Sequence, residues 1–99
     1  MAESKEDIIE EFLDYMQQHG GEFPEWYVGI SNDAEGRLRR GHKVRSLDPW
    51  IYAIANSSNA ARDVEDFFVD NLGTDGGTGG GDETSDRVYA YKRAMHTRP

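Results

Sequence analysis

The stretch Trp26-Tyr27-Val28-Gly29-Ile30-Ser31 decides the fold that we predict for this chain. Its side chains alternate in character, which is typical of a β-strand with two different faces. One face carries the apolar side chains of Trp26, Val28 and Ile30 and should meet the core. The other face carries Tyr27, Gly29 and Ser31, and it is small and polar around the glycine.

Working outward from this strand, we predict three helices and two further strands. An amphipathic helix with Ser4 as its cap comes first, and a glycine-rich spacer loop precedes the last strand. The elements are helix 4–19, strand 26–31, short helix 33–40, strand 50–55, helix 57–72, loop 73–81 and strand 87–92. The nearly continuous apolar character of residues 50–55 predicts burial on both faces, and the tail to Pro99 should be frayed or weakly helical.

These elements predict one α+β domain over residues 1–99, with a small three-stranded antiparallel sheet flanked by helices. The chain has 99 residues, no cysteine and a formal net charge of −8. No apolar run approaches the ~20 residues of a membrane span, and the N-terminus lacks the pattern of a secretory signal. Without cysteine there is no disulfide or thiolate metal site. We therefore expect a cytoplasmic monomer without membrane contact.

Charge is distributed unevenly along the chain. Residues 1–25 and 60–86 each hold eight acidic side chains, whereas residues 36–47 hold none. The overall charge argues against nucleic acid as a partner, because such binding relies on neutralising phosphates, but the basic stretch permits it locally. The alternative is a solvated polar helix and loop. The stretch contains Arg37, Arg39, Arg40, His42, Lys43 and Arg45.

The strand over residues 26–31 and the residues that follow it resemble a known family. The segment 27–33 followed by Arg37 resembles the second signature of the GIY-YIG nuclease superfamily, where a Tyr-Ile-Gly strand leads into a helix with an essential arginine. The later segment 59–68 is similar to the family's helix that bears a metal-binding glutamate. The strand at 50–55 lies between them, as it does in that fold. The resemblance covers residues 26–72.

The resemblance implies a small antiparallel sheet between helices and metal-dependent hydrolysis of a phosphodiester in DNA. Glu65 matches the ligand of a hard cation, Mg²⁺ or Mn²⁺. Arg37 matches the arginine that contacts the phosphate, and Tyr27 matches the tyrosine that positions the attacking water. His42 lies near a histidine that the family often has, and the missing side chain of Gly29 would let a backbone or a substrate approach. Further candidates for substrate binding are Arg39, Arg40 and Lys43.

The chain also departs from the family. The first signature, a Gly-Ile-Tyr strand upstream of the second, is missing, because residues 12–16 are predicted to be helical. A catalytic tyrosine is therefore lost from its usual place. We hypothesise that the strand over residues 87–92, which offers Tyr89 and Tyr91 on one face, fills the empty position in the sheet. Coordinates that separate this strand from residues 26–31 would reject the hypothesis.

Each candidate residue also has a purely structural interpretation. Tyr27 could be a half-buried strand tyrosine, and Arg37 could cover apolar surface with its stem. Glu65 lies at the edge of its helix's apolar stripe and could be solvated or paired. The loop 73–81 lacks the Lys-Ser/Thr ending of a phosphate-binding loop and follows a helix.

Three functions stay open on the sequence alone. The first is an endonuclease of GIY-YIG type. The second is a catalytically inactive binding module with that fold, whose partner is either a protein with a basic surface or nucleic acid held only through residues 37–45. The third is a DNA mimic, in which the acidic N-terminal helix copies phosphates.

Overall fold

The computed structural model describes residues 2–76 and 84–99, which form three helices and a four-stranded sheet. The two helices that begin at Ala34 and Ser58 continue into wider π-type turns, over Arg37–Gly41 and Phe67–Leu72 respectively. A single 3₁₀ turn, Phe23–Glu25, leads into the first strand. The elements are α1 Lys5–His19, β1 Trp26–Ser31, α2 Ala34–Gly36, β2 Trp50–Ile54, α3 Ser58–Asp66, β3 Asp75–Gly76 and β4 Arg87–Lys92.

The predicted helices and strands are found within one or two residues of their expected bounds. The capping chemistry explains the accuracy, because side-chain oxygens accept from the first free N–H groups of a helix. The Ser4 hydroxyl accepts from the amide of Asp7 at 3.2 Å, and the Ser57 hydroxyl accepts from the amide of Ala60 at 3.0 Å. The long helix ends at Gly73, whose φ of +82° is a left-handed conformation.

The sheet is mixed and has the strand order β2-β4-β1-β3, which differs from the three antiparallel strands that we predicted. The three expected strands do pair in antiparallel fashion, but the two-residue strand β3 adds a parallel partner to β1. It lies at the start of the predicted loop 73–81. Gly76 permits this approach, since a Cβ there would lie 2.9 Å from the carbonyl oxygen of Val28. Residues 77–81 of the predicted loop lie outside the described residues.

The C-terminal strand β4 occupies the middle of the sheet, between β1 and β2. Its four inner residues are buried, whereas β2 is an edge strand in which Tyr52 is exposed. The prediction that residues 50–55 are buried on both faces is therefore wrong. The apolar run could not reveal this, because the last strand in the sequence takes the central position through long-range pairing.

Helices α1 and α3 cover one face of the sheet and enclose the main core. The predicted inner face of β1 lies in this core, so the alternation in the deciding segment is confirmed. Apolar burial of this kind is the main stabilising term in a domain of this size. Its fully enclosed side chains include Ile8, Phe12, Trp26, Val28, Val64, Phe68 and Val88.

The opposite face of the sheet is covered by α2 and the loop after it. Ala34 and Leu38 are buried there with Val44, and they pack against the tyrosines of β1 and β4. Lys43 has a φ of +61°, and this left-handed residue turns the chain so that the Val44 amide donates to the Leu38 carbonyl at 2.9 Å. The predicted surface helix thus closes a second, smaller core.

The C-terminal tail packs on this second core, so the prediction of a frayed or helical tail is wrong. Thr97 is buried, and the Arg98 amide donates to the His42 carbonyl at 2.7 Å. His96 lies 2.6 Å from the Asp48 carboxylate. Contacts that use backbone groups leave no pattern in the side-chain sequence. Within residues 2–76 and 84–99, no helix has the length and apolar character needed to cross a bilayer.

Candidate active site

Three tyrosines meet on the face of the sheet under α2. Tyr27 of β1 lies directly opposite Tyr91 of β4, and Tyr89 lies opposite Gly29. Because paired residues of antiparallel strands share a face, all three rings lie on the same side. The Tyr27 ring centroid is 5.2 Å from that of Tyr91 and 6.3 Å from that of Tyr89. Strand pairing between residues 26–31 and 87–92 is thus present, as the replacement hypothesis requires.

Gly29 provides the space into which the Tyr89 ring extends. A Cβ at this position would lie 2.6 Å from the Tyr89 hydroxyl oxygen and 3.2 Å from the ring of Tyr27. Both distances are shorter than ordinary contacts in a packed interior. The glycine therefore serves the close approach of a neighbouring side chain, and we predicted close approach of a substrate or backbone at this position.

His42 joins the tyrosines through hydrogen bonds to both of its ring nitrogens. Its Nδ1 lies 2.7 Å from the Arg98 carbonyl oxygen, and its Nε2 lies 2.7 Å from the Tyr89 hydroxyl. A carbonyl can only accept, so Nδ1 carries the proton and Nε2 accepts from Tyr89. The Tyr91 hydroxyl donates to the same Arg98 carbonyl at 3.1 Å. The tail carbonyl thereby sets the tautomer of the imidazole.

Burial holds this cluster in its neutral form. It lowers the pKa of His42, because the imidazolium would lose its hydration. Burial also raises the pKa values of Tyr89 and Tyr91 well above their usual value, because a charged phenolate would lose its hydration. At neutral pH the imidazole Nε2 is therefore free to act as a proton acceptor from Tyr89.

Arg37 lies at the start of the π-type turn, exposed to solvent beside the cluster. Its positive charge lowers the pKa of Tyr89 and Tyr27 against the larger effect of burial. The same charge lowers the pKa of His42. Arg37 thus places a solvent-exposed positive charge beside the neutral tyrosine–histidine cluster.

Glu65 is buried on α3, with 6% of its surface exposed. Its Oε2 atom has no hydrogen-bond partner among the described residues. Desolvation first, and then the nearby charge of Asp66, raise the pKa of Glu65 to about 7. After burial and the charge of Asp75, the charge of Glu65 also raises the pKa of Tyr27, although α3 and the three tyrosines belong to different cores on opposite faces of the sheet. The Oε2 atom is thus neither exposed to solvent nor hydrogen-bonded among the described residues, while the charge of Arg62 lowers the pKa of Glu65 against these effects.

The residues present fit a cation that is held mainly by non-protein oxygens. Among residues 2–76 and 84–99, no group of three or more His, Asp or Glu side chains converges as a metal site. Mg²⁺ commonly binds through one or two carboxylates, retains waters and takes further ligands from substrate phosphates. The buried, unpartnered oxygen of Glu65 matches a site of that kind, and the predicted Mg²⁺ or Mn²⁺ stays a proposal.

The basic residues of the predicted substrate-binding set point in different directions. Arg40 pairs with Asp33 at 3.1 Å on the surface. Arg39 donates to the Ser46 hydroxyl at 3.2 Å, and its guanidinium carbon lies 5.8 Å above the Trp50 ring. Lys43 is exposed at its left-handed turn. Arg39 and Lys43 therefore share a surface with the tail, whereas Arg40 is held by α2's own cap.

A basic groove of about 510 Å³ lies between the loop after α2 and the C-terminal tail. The sequence pattern did not predict its tail residues, because their proximity to residues 39–45 depends on the central position of β4. The sequence pattern also did not single out Asp75, which lies in β3 opposite Tyr27 of β1 and does not line this groove. In addition to burial, the charge of Asp75 raises the pKa of Tyr27 and Tyr91. The groove is lined by Arg39, Lys43, Val44, Arg45, His96 and Arg98.

Comparison with known proteins adds no relative. No family model matches the chain. No curated protein and no solved structure matches it either. The function must therefore be argued from the geometry of the site.

Proposed function

We propose that this domain is a GIY-YIG-like, metal-dependent phosphodiester hydrolase that acts on DNA. The observation that carries the proposal is the Oε2 atom of buried Glu65, which has no hydrogen-bond partner among the described residues and belongs to a carboxylate whose charge raises the pKa of Tyr27. A buried carboxylate without a partner is costly for a folded protein, and such costs concentrate at functional sites. In this proposal β4 takes the sheet position of the missing Gly-Ile-Tyr strand, which its pairing with β1 supports.

The proposed roles follow from the contacts in the cluster. Arg37 offers its exposed guanidinium to the phosphate, for which the planar fork of donors is well suited. Tyr27 orients the attacking water, as the resemblance implies. The Tyr89 hydroxyl donates to His42, so a water that donates to the Tyr89 oxygen can pass its proton along this bond to Nε2. Tyr91 helps to hold the Arg98 carbonyl that keeps the imidazole tautomer in place.

Glu65 would hold the cation, which neutralises charge that builds on the phosphate and on the leaving oxygen. The exposed side chains of Arg39 and Lys43 would then bind the DNA strand next to the cleaved bond. Arg40 contributes less to this proposal, because its ion pair with Asp33 already uses its charge.

The proposal is tested by incubating the purified chain with supercoiled plasmid and Mg²⁺ or Mn²⁺. Conversion to open-circle or linear DNA is expected with the wild-type chain. Chelation with EDTA and the substitution Glu65→Gln should each abolish it, whereas Asp66→Asn, a neighbouring and exposed acid, should retain it. An intact plasmid under all metal conditions would refute the nuclease proposal.

The alternative is a binding module without catalysis, which the net charge of −8 favours, because most of the surface would repel DNA. Its partner would be a protein with a basic surface or DNA held at residues 37–45. Titration of labelled DNA at several salt concentrations separates these two partners. Charge reversal at Arg39 and Lys43 should abolish binding only in the second case, and Arg40 in its ion pair serves as the matched control.

A further inference from the structure

Two aromatic side chains on the edge strand β2 form an open surface next to the proposed active site. Trp50 and Tyr52 lie opposite Tyr91 and Tyr89 in β4, and therefore on the same face of the sheet. Their rings are nearly parallel, with an interplanar angle of 8° and a centroid distance of 6.3 Å. Tyr52 is 37% exposed, and Trp50 is half-buried. We call these two residues the aromatic pair.

The basic groove continues from this aromatic pair. Arg39 belongs to both, because its guanidinium lies over the Trp50 ring and its side chain lines the groove. Lys43, Arg45 and Arg98 bring the cations of the groove to four. Two acids lie beside these residues: Glu35 accepts from the Tyr52 hydroxyl at 3.4 Å, and the Asp48 carboxylate lies 2.6 Å from His96 and accepts from the Arg45 amide at 2.8 Å. In a chain of net charge −8, such a concentration of positive charge beside exposed rings selects an anionic ligand with flat, apolar groups.

Single-stranded nucleic acid has this chemistry. Proteins that bind it combine a positive groove along the backbone with aromatic side chains on which unpaired bases stack. A duplex would present only phosphates here, because its bases are stacked inside. A stacking contact is worth about 1–3 kcal/mol for each base, whereas the acidic remainder of this chain opposes a long electrostatic contact.

We propose that the aromatic pair and the basic groove bind a single-stranded segment of DNA beside the active site. Unpaired bases stack on Tyr52 and Trp50, and the backbone follows Arg39, Lys43, Arg45 and Arg98. This names the substrate class of the proposed hydrolase, and it rests on that proposed function only for the statement that the bound strand is cut. Binding itself stands independently of catalysis.

The test measures binding without metal, by fluorescence anisotropy of a labelled 12-residue oligothymidylate in EDTA. Replacement of the exposed ring in Tyr52→Ala should raise Kd about 5- to 150-fold, as expected for the loss of one stacking contact. The matched variant Tyr52→Phe keeps the ring, loses the bond to Glu35 and should bind like the wild type. A fully paired duplex of the same length should bind more weakly than the single strand.

The basic groove is tested through the dependence of binding on salt. Four phosphate contacts predict a slope of about −3 in a plot of log affinity against log salt, since each contact to a single strand contributes about 0.7. Arg45→Ser should reduce the slope by about 0.7. Lys5→Ser, which removes one exposed charge from α1 outside the groove, should leave the slope unchanged.

Several results would overturn this inference: equal binding by Tyr52→Ala and the wild type, equal affinity for the duplex, or displacement of the oligonucleotide by polyglutamate at the same charge concentration. The last result would identify an acidic polypeptide as the occupant. Circular dichroism of each variant ensures that weak binding is not a loss of fold. If the wild-type chain binds the strand but does not cut it with Mg²⁺ or Mn²⁺, the hydrolase proposal fails and the binding inference survives.

Discussion

Gly29 and Tyr89 face each other across β1 and β4, and the tyrosine side chain fills the space where a side chain on Gly29 would lie. The Tyr89 hydroxyl thereby reaches Nε2 of His42 at 2.7 Å. One absent side chain thus allows the hydrogen bond on which the proposed proton transfer depends.

Substitution of this glycine should damage both packing and chemistry. In Gly29→Ala, the new methyl group would approach the Tyr89 hydroxyl to 2.6 Å, so the ring must shift. We expect a loss of about 1–3 kcal/mol in the free energy of unfolding, which is the usual cost of overpacking. Urea unfolding followed by circular dichroism measures this loss. Nuclease activity should fall with it, because the bond to His42 is disturbed.

A double-mutant cycle separates the clash from any other cost of replacing the glycine. In a Tyr89→Ala background the obstructing ring is gone, so adding Gly29→Ala should cost much less than it does in the wild type. Equal costs in both backgrounds would contradict the proposed contact.

The pH dependence of stability should reveal the state of Glu65. Its pKa is raised from 4.5 to about 7, so the folded chain binds this proton more tightly than the unfolded chain does. Stability must therefore fall as pH rises from about 4.5 to 7, and the full loss is present above pH 7. Glu65→Gln removes this loss. We expect the free energy of unfolding of this variant to exceed that of the wild type by about 1–3 kcal/mol at pH 8, but not at pH 4.5.

Chemical denaturation of both chains at the two pH values measures the difference. Glu11, whose pKa is also raised to about 7 mainly by its hydrogen bond to the Glu3 carboxyl, titrates in the same window. Its contribution is present in both chains and cancels from the difference. A constant difference at the two pH values would show that Glu65 has an ordinary pKa.

Binding of a cation at Glu65 should depend on pH in the opposite sense. A cation binds the ionised carboxylate, so it competes with the proton and stabilises the fold more at high pH. We expect Mg²⁺ or Mn²⁺ to raise Tm at pH 8 and to have less effect at pH 5.5. Differential scanning fluorimetry measures both shifts. Glu65→Gln should show neither shift, and an identical response from this variant would place any cation elsewhere.

His42 should be neutral and protonated on Nδ1 at neutral pH. The Arg98 carbonyl accepts from Nδ1, and burial lowers the pKa of the ring. The folded chain thus resists a proton that the unfolded chain accepts, so stability should fall as pH drops below about 6.5. His42→Gln should flatten this acid limb. Long-range ¹H–¹⁵N NMR spectra report the tautomer, and an Nε2-protonated ring would contradict the proposed direction of proton transfer.

The C-terminal tail should contribute to stability although it forms no helix or strand. Deleting residues 96–99 removes the two hydrogen bonds between Arg98 and His42 and the bond from Tyr91. At about 0.5–1.5 kcal/mol for each bond, we expect a loss of about 2–4 kcal/mol in the free energy of unfolding. Deleting Pro99 alone serves as the control. If the chain without residues 96–99 has the same free energy of unfolding as the full-length chain, the tail does not pack on the site.

The sequence-based prediction was accurate for features of the fold that depend on residues close together in the chain. The alternation of residues 26–31 predicted the two faces of β1, and short-range caps predicted the helices. The burial of Glu65 is different, since its place at the edge of an apolar stripe is compatible with solvent as well as with enclosure. What it faces depends on elements that are distant in the chain.

The amino-acid sequence by itself determined the helices, the three long strands and the charge pattern, because these follow from spacing, capping and turn residues within short windows. The tertiary structure alone decided that β4 lies in the centre of the sheet, that β3 exists, and that the tail carbonyl of Arg98 meets His42. These outcomes depend on pairing between strands far apart in the chain and on backbone groups that are chemically the same in every residue. For that reason no local pattern of side chains could predict them.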